Sequence, residues 1–436
     1  MKFNNIKNFI CKSYICNIKN NNCLISLIAL IIIIGALLAG CNSSPAETPS
    51  GGENTSEAKE ETKTVERAKN RSLEIVSLYK DKYINAEKMT SEYYYNQTVI
   101  SQEAVDEIEN LLRDKGYPVM NSDSKYPTYL ENAESVYEFW ELVSANQNAE
   151  QELMTVSVTG EMYYTSLHYT DGKKYRTYIV VGWDENNEPV VTSDSYIEIM
   201  DWELINDKEF YYQVVYPPRV PFDDYALVRL APMDKTLYDL TEKYVAPIGY
   251  LSNNMFVSEW NYNDYGHLSF NDLLEFFYRV RNDDFFYEDN FETVREPYFH
   301  TYIPAELFEE TVLPYFDISL QEFRKRSLYD SEKNVYPWQE VCSENARIYP
   351  SVEPEVVKYQ ENNDGTFTLT INVRCNDYKT DRLFTHEVVI RPLNDGGYQY
   401  LSNKITYKSE HELPPNYPRL PLPLLTKRCL RRKTQK

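Results

Sequence analysis

The spacing of apolar residues changes along this chain, and each change predicts a different kind of element. Apolar residues three and four positions apart predict three early amphipathic helices, with Ser101 as the N-cap of the second. After Gln147 the apolar period falls to two, and Asp171-Gly172 is typical of a two-residue hairpin turn. The helices are expected around residues 73–83, 104–112 and 136–143, and the strands at 152–159, 162–170, 174–183, 189–202 and 209–216.

The second half of the chain follows the same order of elements. Residues 222–349 have mostly helical spacing and many aromatic side chains, and strands return from Glu355 with hairpin turns at Asp364-Gly365 and Asp395-Gly396. We therefore predict an α+β protein of two modules, each built of helices followed by an antiparallel β-meander. This order resembles cystatin-like and nuclear-transport-factor-like folds, a likeness of fold that implies no activity.

Composition divides the chain into segments. Proline at 217, 218 and 221 interrupts the strand pattern and predicts a module boundary there. We expect a lipoprotein signal peptide at 1–40, a disordered tether at 41–66, an N-terminal α+β domain at 67–221, a helical aromatic-rich region at 222–349, a β-meander packing with it at 350–412, and a Pro-rich basic tail at 413–436.

The first segment has the pattern of an export signal. Four lysines without an acidic residue precede the apolar run Leu24–Leu38, which is shorter than the roughly 20 residues that a membrane span needs. The run ends Leu38-Ala39-Gly40-Cys41, which resembles the lipobox of bacterial lipoproteins. This resemblance implies that Cys41 is acylated and anchors the protein to the extracytoplasmic face of the membrane. The alternative is an uncleaved bilayer-spanning anchor.

Charge narrows the range of partners. The net charge of the chain is −22, and it becomes −26 once the four lysines before the apolar run are removed. So acidic a body repels nucleic acid, and we expect no nucleic-acid partner. The expected partners are the membrane, through the lipid anchor, and a cell-wall polymer or a surface protein. The basic residues after Lys427 form either a disordered end or a contact with anionic polymer.

Cysteine usage adds one structural hypothesis. After Cys41 the chain contains Cys342, Cys375 and Cys429, and export would permit a disulfide. A bridge between Cys342 and Cys375 would close a loop of about 34 residues and contribute about 3 to 4 kcal/mol in the chain-entropy account. The alternative is that both are buried reduced thiols.

No catalytic or metal-binding motif is complete. Ser77-Leu78-Tyr79-Lys80 lies on an amphipathic helix without the partner motifs of penicillin-recognising enzymes, and His386-Glu387 lies in a strand pattern with Ile390 where a zinc motif needs histidine. The acidic runs at 184–188 and 362–365 lack the spacing of a calcium loop and fit hairpin turns. We therefore predict no catalytic residue, no metal site and no cofactor.

One segment, 244–267, mixes aromatic rings with amides and carboxylates and has no clear period. Rings that stack and polar groups that orient a ligand are typical of sugar or peptide sites. The alternative is an ordered loop whose polar groups bond one another. The candidate ligand-binding residues are Trp260, Asn254, Asp264 and His267.

Three stretches carry a resemblance to a known family. The run 243–250, the run Leu268–Leu273 and Tyr336-Pro337-Trp338 resemble an uncharacterised family of lipoproteins from Gram-positive bacteria, a domain of unknown function. This resemblance implies a surface lipoprotein and assigns no chemistry to any residue. We accordingly expect a lipid-anchored, non-catalytic binding protein at the cell surface. The alternatives are an extracellular hydrolase acting on glycan or peptide and a solute-binding lipoprotein of a transporter.

Overall fold

The structure is a computed structural model. It describes residues 55–91, 97–122, 128–215, 225–287, 291–295, 300–341, 352–411, 413 and 418–420. The predicted signal peptide, Cys41, Cys342 and Cys429 lie outside these residues, as do the predicted boundary prolines at 217, 218 and 221.

Helices and strands alternate along the described chain, and strands predominate. The helices are α1 Thr55–Ser77, α2 Lys80–Asn85, α3 Gln102–Asp114, α4 Glu134–Ser144, α5 Lys235–Tyr244, α6 Leu274–Asn282, α7 Ala305–Val312 and α8 Leu320–Arg326, with 3-10 turns at Phe270–Leu273 and Leu313–Tyr315. The strands are β1 Lys88–Ser91, β2 Gln97–Ile100, β3 Val119–Met120, β4 Leu130–Glu131, β5 Ala149–Val156, β6 Met162–Thr170, β7 Lys173–Trp183, β8 Pro189–Ile205, β9 Glu209–Val214, β10 Tyr225–Arg229, β11 Trp260–Asn261, β12 Thr293–Val294, β13 His300–Pro304, β14 Val335–Trp338, β15 Val352–Glu361, β16 Phe367–Cys375, β17 Thr380–Pro392 and β18 Tyr398–Lys408.

The chain divides into an N-terminal unit that ends at Met233 and a C-terminal unit that begins at Asp234. The division falls after the boundary predicted at 221, because β10 pairs with β9 and continues the N-terminal sheet. Among the described residues this sheet has the order β10-β9-β8-β7-β6-β5-β3-β4. Its neighbours pair antiparallel except β3 and β5, which are parallel.

Both faces of the N-terminal sheet are covered, so its strands carry apolar residues on both sides. One face packs Met154, Tyr164 and Ile179 against α1, α2 and α3. The opposite face packs Leu153 and Leu167 against α4, together with residues of β8, β9 and β10. Burial on two sides explains why the alternation of polar and apolar residues is weak in β6 and β7.

Helix α1 begins at Thr55, within the segment that composition predicted to be a disordered tether. The residues Val65, Ala68, Ile75 and Val76 form an apolar stripe at helical spacing, and all four join the core on the first sheet face. The helix therefore begins before residue 67. Packing of its apolar face on the sheet stabilises a helix in a segment whose composition is typical of disorder.

The C-terminal unit has one core shared by its helices and its strands. Its larger sheet has the order β11-β18-β17-β16-β15, and a smaller one has the order β12-β13-β14, among the described residues. Aromatic rings join the two kinds of element: Phe277 of α6 lies 6.1 Å from Tyr400 of β18, and Tyr244 of α5 lies 5.3 Å from Phe367 of β16, measured between ring centroids.

A tight corner between β5 and β6 holds the end of α1 against the sheet. Gly160 has a φ of +77°, and its carbonyl accepts hydrogen bonds from Trp183 Nε1 at 2.9 Å and from the Tyr79 hydroxyl at 3.3 Å. The ring of Tyr83 stacks on Trp183 with 4.0 Å between centroids, and Lys88 Nζ lies 4.0 Å from the centroid of the same ring. A Cβ atom on Gly160 would overlap the Tyr83 ring.

We expect Gly160→Ala to lower the free energy of unfolding of the N-terminal unit by about 2 to 4 kcal/mol, because it adds overpacking to backbone strain. The matched control is Gly172→Ala, since Gly172 has a similar φ of +82° and no atom lies near its added Cβ. The control should cost only about 1 to 2 kcal/mol. Urea denaturation followed by tryptophan fluorescence measures both, and an equal loss in the two variants would contradict the packing argument.

Candidate functional site

The predicted binding segment forms an ordered loop whose buried members bond the loop itself. Trp260 is buried, its Nε1 donates to the carbonyl of Met255 at 2.7 Å, and its ring stacks with that of Tyr265. Asn254 is also buried, with Nδ2 donating to the carbonyl of His267 at 2.8 Å and Oδ1 accepting from Ser269 N at 3.0 Å. The face of the indole is therefore occupied by neighbouring rings.

The other two predicted residues lie on the surface. His267 is exposed, and Asp264 is exposed with Oδ1 accepting from Gly266 N at 2.9 Å. The structure thus places Trp260 and Asn254 inside the loop and Asp264 and His267 outside it, so the four side chains do not line a common cleft.

Of the two cysteines in the predicted disulfide, the structure describes only Cys375. Cys375 ends β16 and is buried in the core of the C-terminal unit, without a disulfide partner among the described residues. Burial raises the pKa of this thiol to about 11, which suits an unreactive side chain. Its predicted partner, Cys342, lies outside the described residues, so the pairing stays a prediction.

The N-terminal unit contains a charged layer that the sequence analysis missed. We call Arg67, Arg71, Glu150, Glu152 and His168 the charged layer. Strand alternation puts Glu150 and Glu152 on one face of β5, and the helical repeat puts Arg67 and Arg71 one turn apart on α1. The signal that identifies the layer is the pair of acids at Glu150 and Glu152, which occupy strand positions on the same face as the buried Met154.

Each carboxylate of the charged layer pairs with one guanidinium. Arg67 Nη2 lies 2.8 Å from Glu150 Oε2. Arg71 forms a bidentate pair with Glu152, in which Nε lies 2.9 Å from Oε1 and Nη2 lies 3.2 Å from Oε2. A bidentate pair of this kind fixes the direction of both side chains as well as their separation.

Two hydroxyls complete the coordination of the carboxylates. Ser166 Oγ donates to Glu150 Oε1 at 2.8 Å, and the Tyr164 hydroxyl donates to Glu152 Oε1 at 2.7 Å. Burial, reinforced by the charge of Glu152, holds the pKa of Tyr164 above its usual range, so the hydroxyl keeps the proton it donates. The layer is therefore a preorganised set of charges.

His168 joins the charged layer to the interior of the sheet. Its Nε2 lies 3.0 Å from Thr177 Oγ1, and its Nδ1 lies 3.7 Å from Glu150 Oε1. Burial lowers the pKa of His168, against the opposing effect of Glu150. Acid, imidazole and hydroxyl follow one another as in nucleophilic catalysis. However, Thr177 is completely buried, so its hydroxyl cannot reach a substrate.

On the outer side of the charged layer, α1 borders a largely open surface depression, called the cleft below. The cleft has a volume of about 520 Å³ and is open to solvent. It presents cationic, acidic and amide groups on successive turns of one helix, which is a surface for hydrogen bonding a ligand that is itself polar. The lining residues are Lys63, Glu66, Arg67, Asn70, Arg71 and Glu74.

The C-terminal unit buries a neutral polar network. His386 Nδ1 lies 2.7 Å from Asn403 Oδ1, and His386 Nε2 lies 2.8 Å from the Tyr250 hydroxyl. Asn403 Nδ2 donates to the carbonyls of Ser258 and Phe256, which fixes its oxygen toward the imidazole. Nδ1 therefore carries the proton and Nε2 accepts from Tyr250. Complete burial lowers the pKa of His386 to about 4.

Two other features are absent from the described part of the chain. No group of three or more His, Cys, Asp or Glu residues there is arranged to hold a metal ion. None of the helices described is both long enough and apolar enough to cross a bilayer.

Comparison with known proteins places the chain in a family. Residues 65–419 match a family of unknown function, DUF6070. The chain belongs to DUF6070. No curated protein and no solved structure matches it. The DUF6070 match begins inside α1 and ends at Arg419, so it spans residues of both units. It assigns no chemistry, and because it begins after Cys41 it does not bear on lipid anchoring.

His386 generates a pH prediction. An imidazole whose pKa is about 4 when folded and near 6.5 when unfolded takes up its proton first in the unfolded state. Stability is therefore lost as pH falls from about 6.5 to about 4, by about 3 kcal/mol in total, and is unaffected by this group above that range. Urea unfolding at pH values from 7 to 4.5 measures the loss.

The matched variants for this prediction are His386→Gln and His267→Ala. We expect His386→Gln to be less stable at pH 7 but to lose about 2 to 3 kcal/mol less than the parent between pH 7 and pH 4.5. His267 is exposed, so its replacement should leave the pH profile unchanged. A profile that is as steep in His386→Gln as in the parent would show that other groups cause the acid sensitivity.

Proposed function

We propose that this chain is a lipid-anchored, extracytoplasmic binding protein that holds a cell-wall polymer in the cleft along α1. The observation that carries the proposal is Leu38-Ala39-Gly40-Cys41 directly after an apolar run of export length. Acylation of Cys41 would hold both units at the outer face of the membrane. The Gram-positive origin implied by the family resemblance is part of the same proposal.

The position of the cleft relative to the anchor supports a ligand at the membrane–wall boundary. Residues 42–54 separate Cys41 from α1, and they span at most about 45 Å even when fully extended. The first turns of α1 would then stay within that distance of the acyl chains. Lys63 and Asn70, which line the cleft, are exposed in this part of the helix and are free to face a polymer beside the membrane.

The chemistry of the cleft supports binding in preference to catalysis. The carboxylates of the charged layer next to the cleft are engaged by guanidinium and hydroxyl groups, and the hydroxyl next to His168 is buried. A hydrolase needs an acid or a nucleophile that contacts the substrate. The antiparallel pairing of β5 to β10 likewise supports a binding module over a solute-binding lobe, which is normally built from β-α-β units.

The order of elements also supports the proposed likeness to cystatin-like and nuclear-transport-factor-like folds. An antiparallel meander that follows helices in the chain and packs against them is the arrangement expected of a cystatin-like or nuclear-transport-factor-like module. In each half of the chain the helices precede the meander, which is what we infer for both modules. A surface protein is the alternative ligand, and the solution experiments below distinguish it from wall polymer.

Lipid anchoring predicts a specific labelling result. Cells that express the full chain and are fed an alkyne analogue of palmitate should label the protein and retain it in the membrane fraction. Cys41→Ser should abolish the label and the membrane retention, whereas Cys429→Ser should change neither. Persistent labelling of Cys41→Ser would refute acylation at this residue, and retention without a label would favour an uncleaved spanning anchor.

Cleft binding predicts a sedimentation result. Residues 42–436 should pellet with purified cell wall, and Lys63→Glu combined with Asn70→Ala should weaken binding about thirtyfold, because two lost polar contacts of about 1 kcal/mol each remove about 2 kcal/mol. The control is Lys208→Glu, which changes the same charge at an exposed turn between β8 and β9. Equal loss in the control would indicate non-specific electrostatics, and no pelleting of the parent would rule out wall polymer and favour a surface protein.

A further inference from the structure

An arginine near the C-terminal end is buried in the C-terminal unit. The side chain of Arg419 is 2% exposed, and so is that of Asp272 beside it. Arg419 Nε lies 3.3 Å from Asp272 Oδ1, and Nη1 lies 2.6 Å from Glu275 Oε1. Nη1 also donates to the carbonyl oxygen of Gln339 at 2.6 Å. This residue belongs to the segment predicted to be a Pro-rich basic tail.

All the residues that contact the Arg419 side chain belong to the body of the unit. Asp272 lies in the 3-10 turn before α6, Glu275 lies in the first turn of α6, and Gln339 follows β14. Trp338 Nε1 donates to Glu275 Oε2 at 2.8 Å, which aims the other carboxylate oxygen at the arginine. The pocket is therefore oriented by residues that precede Arg419 by 80 positions or more in the chain.

The pocket contacts the backbone of the tail as well as the side chain. Asp272 Oδ2 accepts from the backbone N of Arg419 at 3.1 Å, while Oδ1 faces Nε of the same residue. Leu420, the next residue, is buried too. One carboxylate thus fixes both the guanidinium and the direction of the chain, which is how a peptide ligand is held.

Arginine suits this pocket and lysine does not. The guanidinium is planar and spreads its donors, so it reaches two carboxylates and a carbonyl at once, whereas an ammonium is a single point charge. Without a cation, Asp272 and Glu275 would leave two acids in one buried space, which is costly. The pocket therefore selects for a bound arginine.

The fit also leaves some hydrogen bonds unmade. Within the part of the chain that the structure describes, four buried polar atoms of the pocket lack a hydrogen-bond partner: Arg419 Nε and Nη2, Glu275 Oε1 and the side-chain oxygen of Gln339. Of these, Nε and Oε1 are held by ion pairing. A permanent core ion pair usually satisfies all its polar atoms. Each unmade hydrogen bond weakens the binding of Arg419, which fits an occupant that can be exchanged.

We propose that Asp272, Glu275 and the Gln339 carbonyl form a receptor for an arginine-bearing peptide, occupied in cis by residues 418–420. The C-terminal segment is then a docked ligand, and a separate peptide of the same sequence takes its place when the chain between body and tail is cut. This proposal is independent of the wall ligand and of the cleft along α1.

The test uses the full chain with residues 414–417 replaced by a protease site and cut only after folding. A fluorescent peptide of residues 413–424 is then titrated and followed by anisotropy. We expect the peptide to displace the native fragment and to bind one equivalent of the cut protein, while the uncut protein binds little because its pocket is filled. The same peptide carrying Arg419→Lys should bind at least about tenfold more weakly.

Two receptor variants keep the result interpretable. Glu275→Gln retains the hydrogen bond from Trp338 and the side-chain shape, so it should fold and bind the peptide more weakly. Asp272→Asn removes the charge at both contacts with Arg419 and should weaken binding further. The proposal is overturned if the Arg419→Lys peptide binds equally well, if the cut fragment leaves and no peptide replaces it, or if the fragment never exchanges.

Discussion

Carboxylates of both units in this strongly acidic protein pair with guanidinium groups, and the placement of these pairs organises each unit. In the N-terminal unit, Arg71 of α1 forms an ion pair with Glu152 of β5. In the C-terminal unit, Arg419 brings the end of the chain onto Asp272. Removing one partner of the fully buried Arg419–Asp272 pair typically costs about 3 to 5 kcal/mol, because the remaining charge stays buried. The Arg71–Glu152 pair is partly exposed, so its loss costs less. These contacts therefore decide which helix and which tail segment can dock.

Uncharged hydrogen-bond networks also hold distant parts of the C-terminal unit together. Tyr250, His386 and Asn403 bond one another in the interior, and the buried imidazole stays unprotonated at neutral pH. The same physical rule explains the loop around Trp260, where amide and indole donors meet carbonyls of the loop itself. Some polar residues that resemble ligand-binding groups in the sequence instead form the hydrogen bonds that buried donors and acceptors need.

Element types were predictable wherever periodicity was strong and local. Ser101 caps α3 with its hydroxyl, and Asp171-Gly172 turns β6 into β7 as the hairpin pattern indicates. These features depend on neighbouring residues alone, so sequence suffices. The start of α1 was missed because its stability comes from packing Val65 and Ala68 on a distant sheet. Composition reports local preference and contains no information about that surface.

The sequence by itself determined the mixture of helices and strands, the acidic character, and the export pattern that ends at Cys41, because each is a property of neighbouring residues or of totals. Only the tertiary structure decided which polar residues meet. Glu152 lies 81 positions from Arg71, and Asp272 lies 147 positions from Arg419. Pairing over such separations depends on how sheets and helices pack, and no local pattern encodes it. The charged layer and the arginine pocket therefore emerged from the fold.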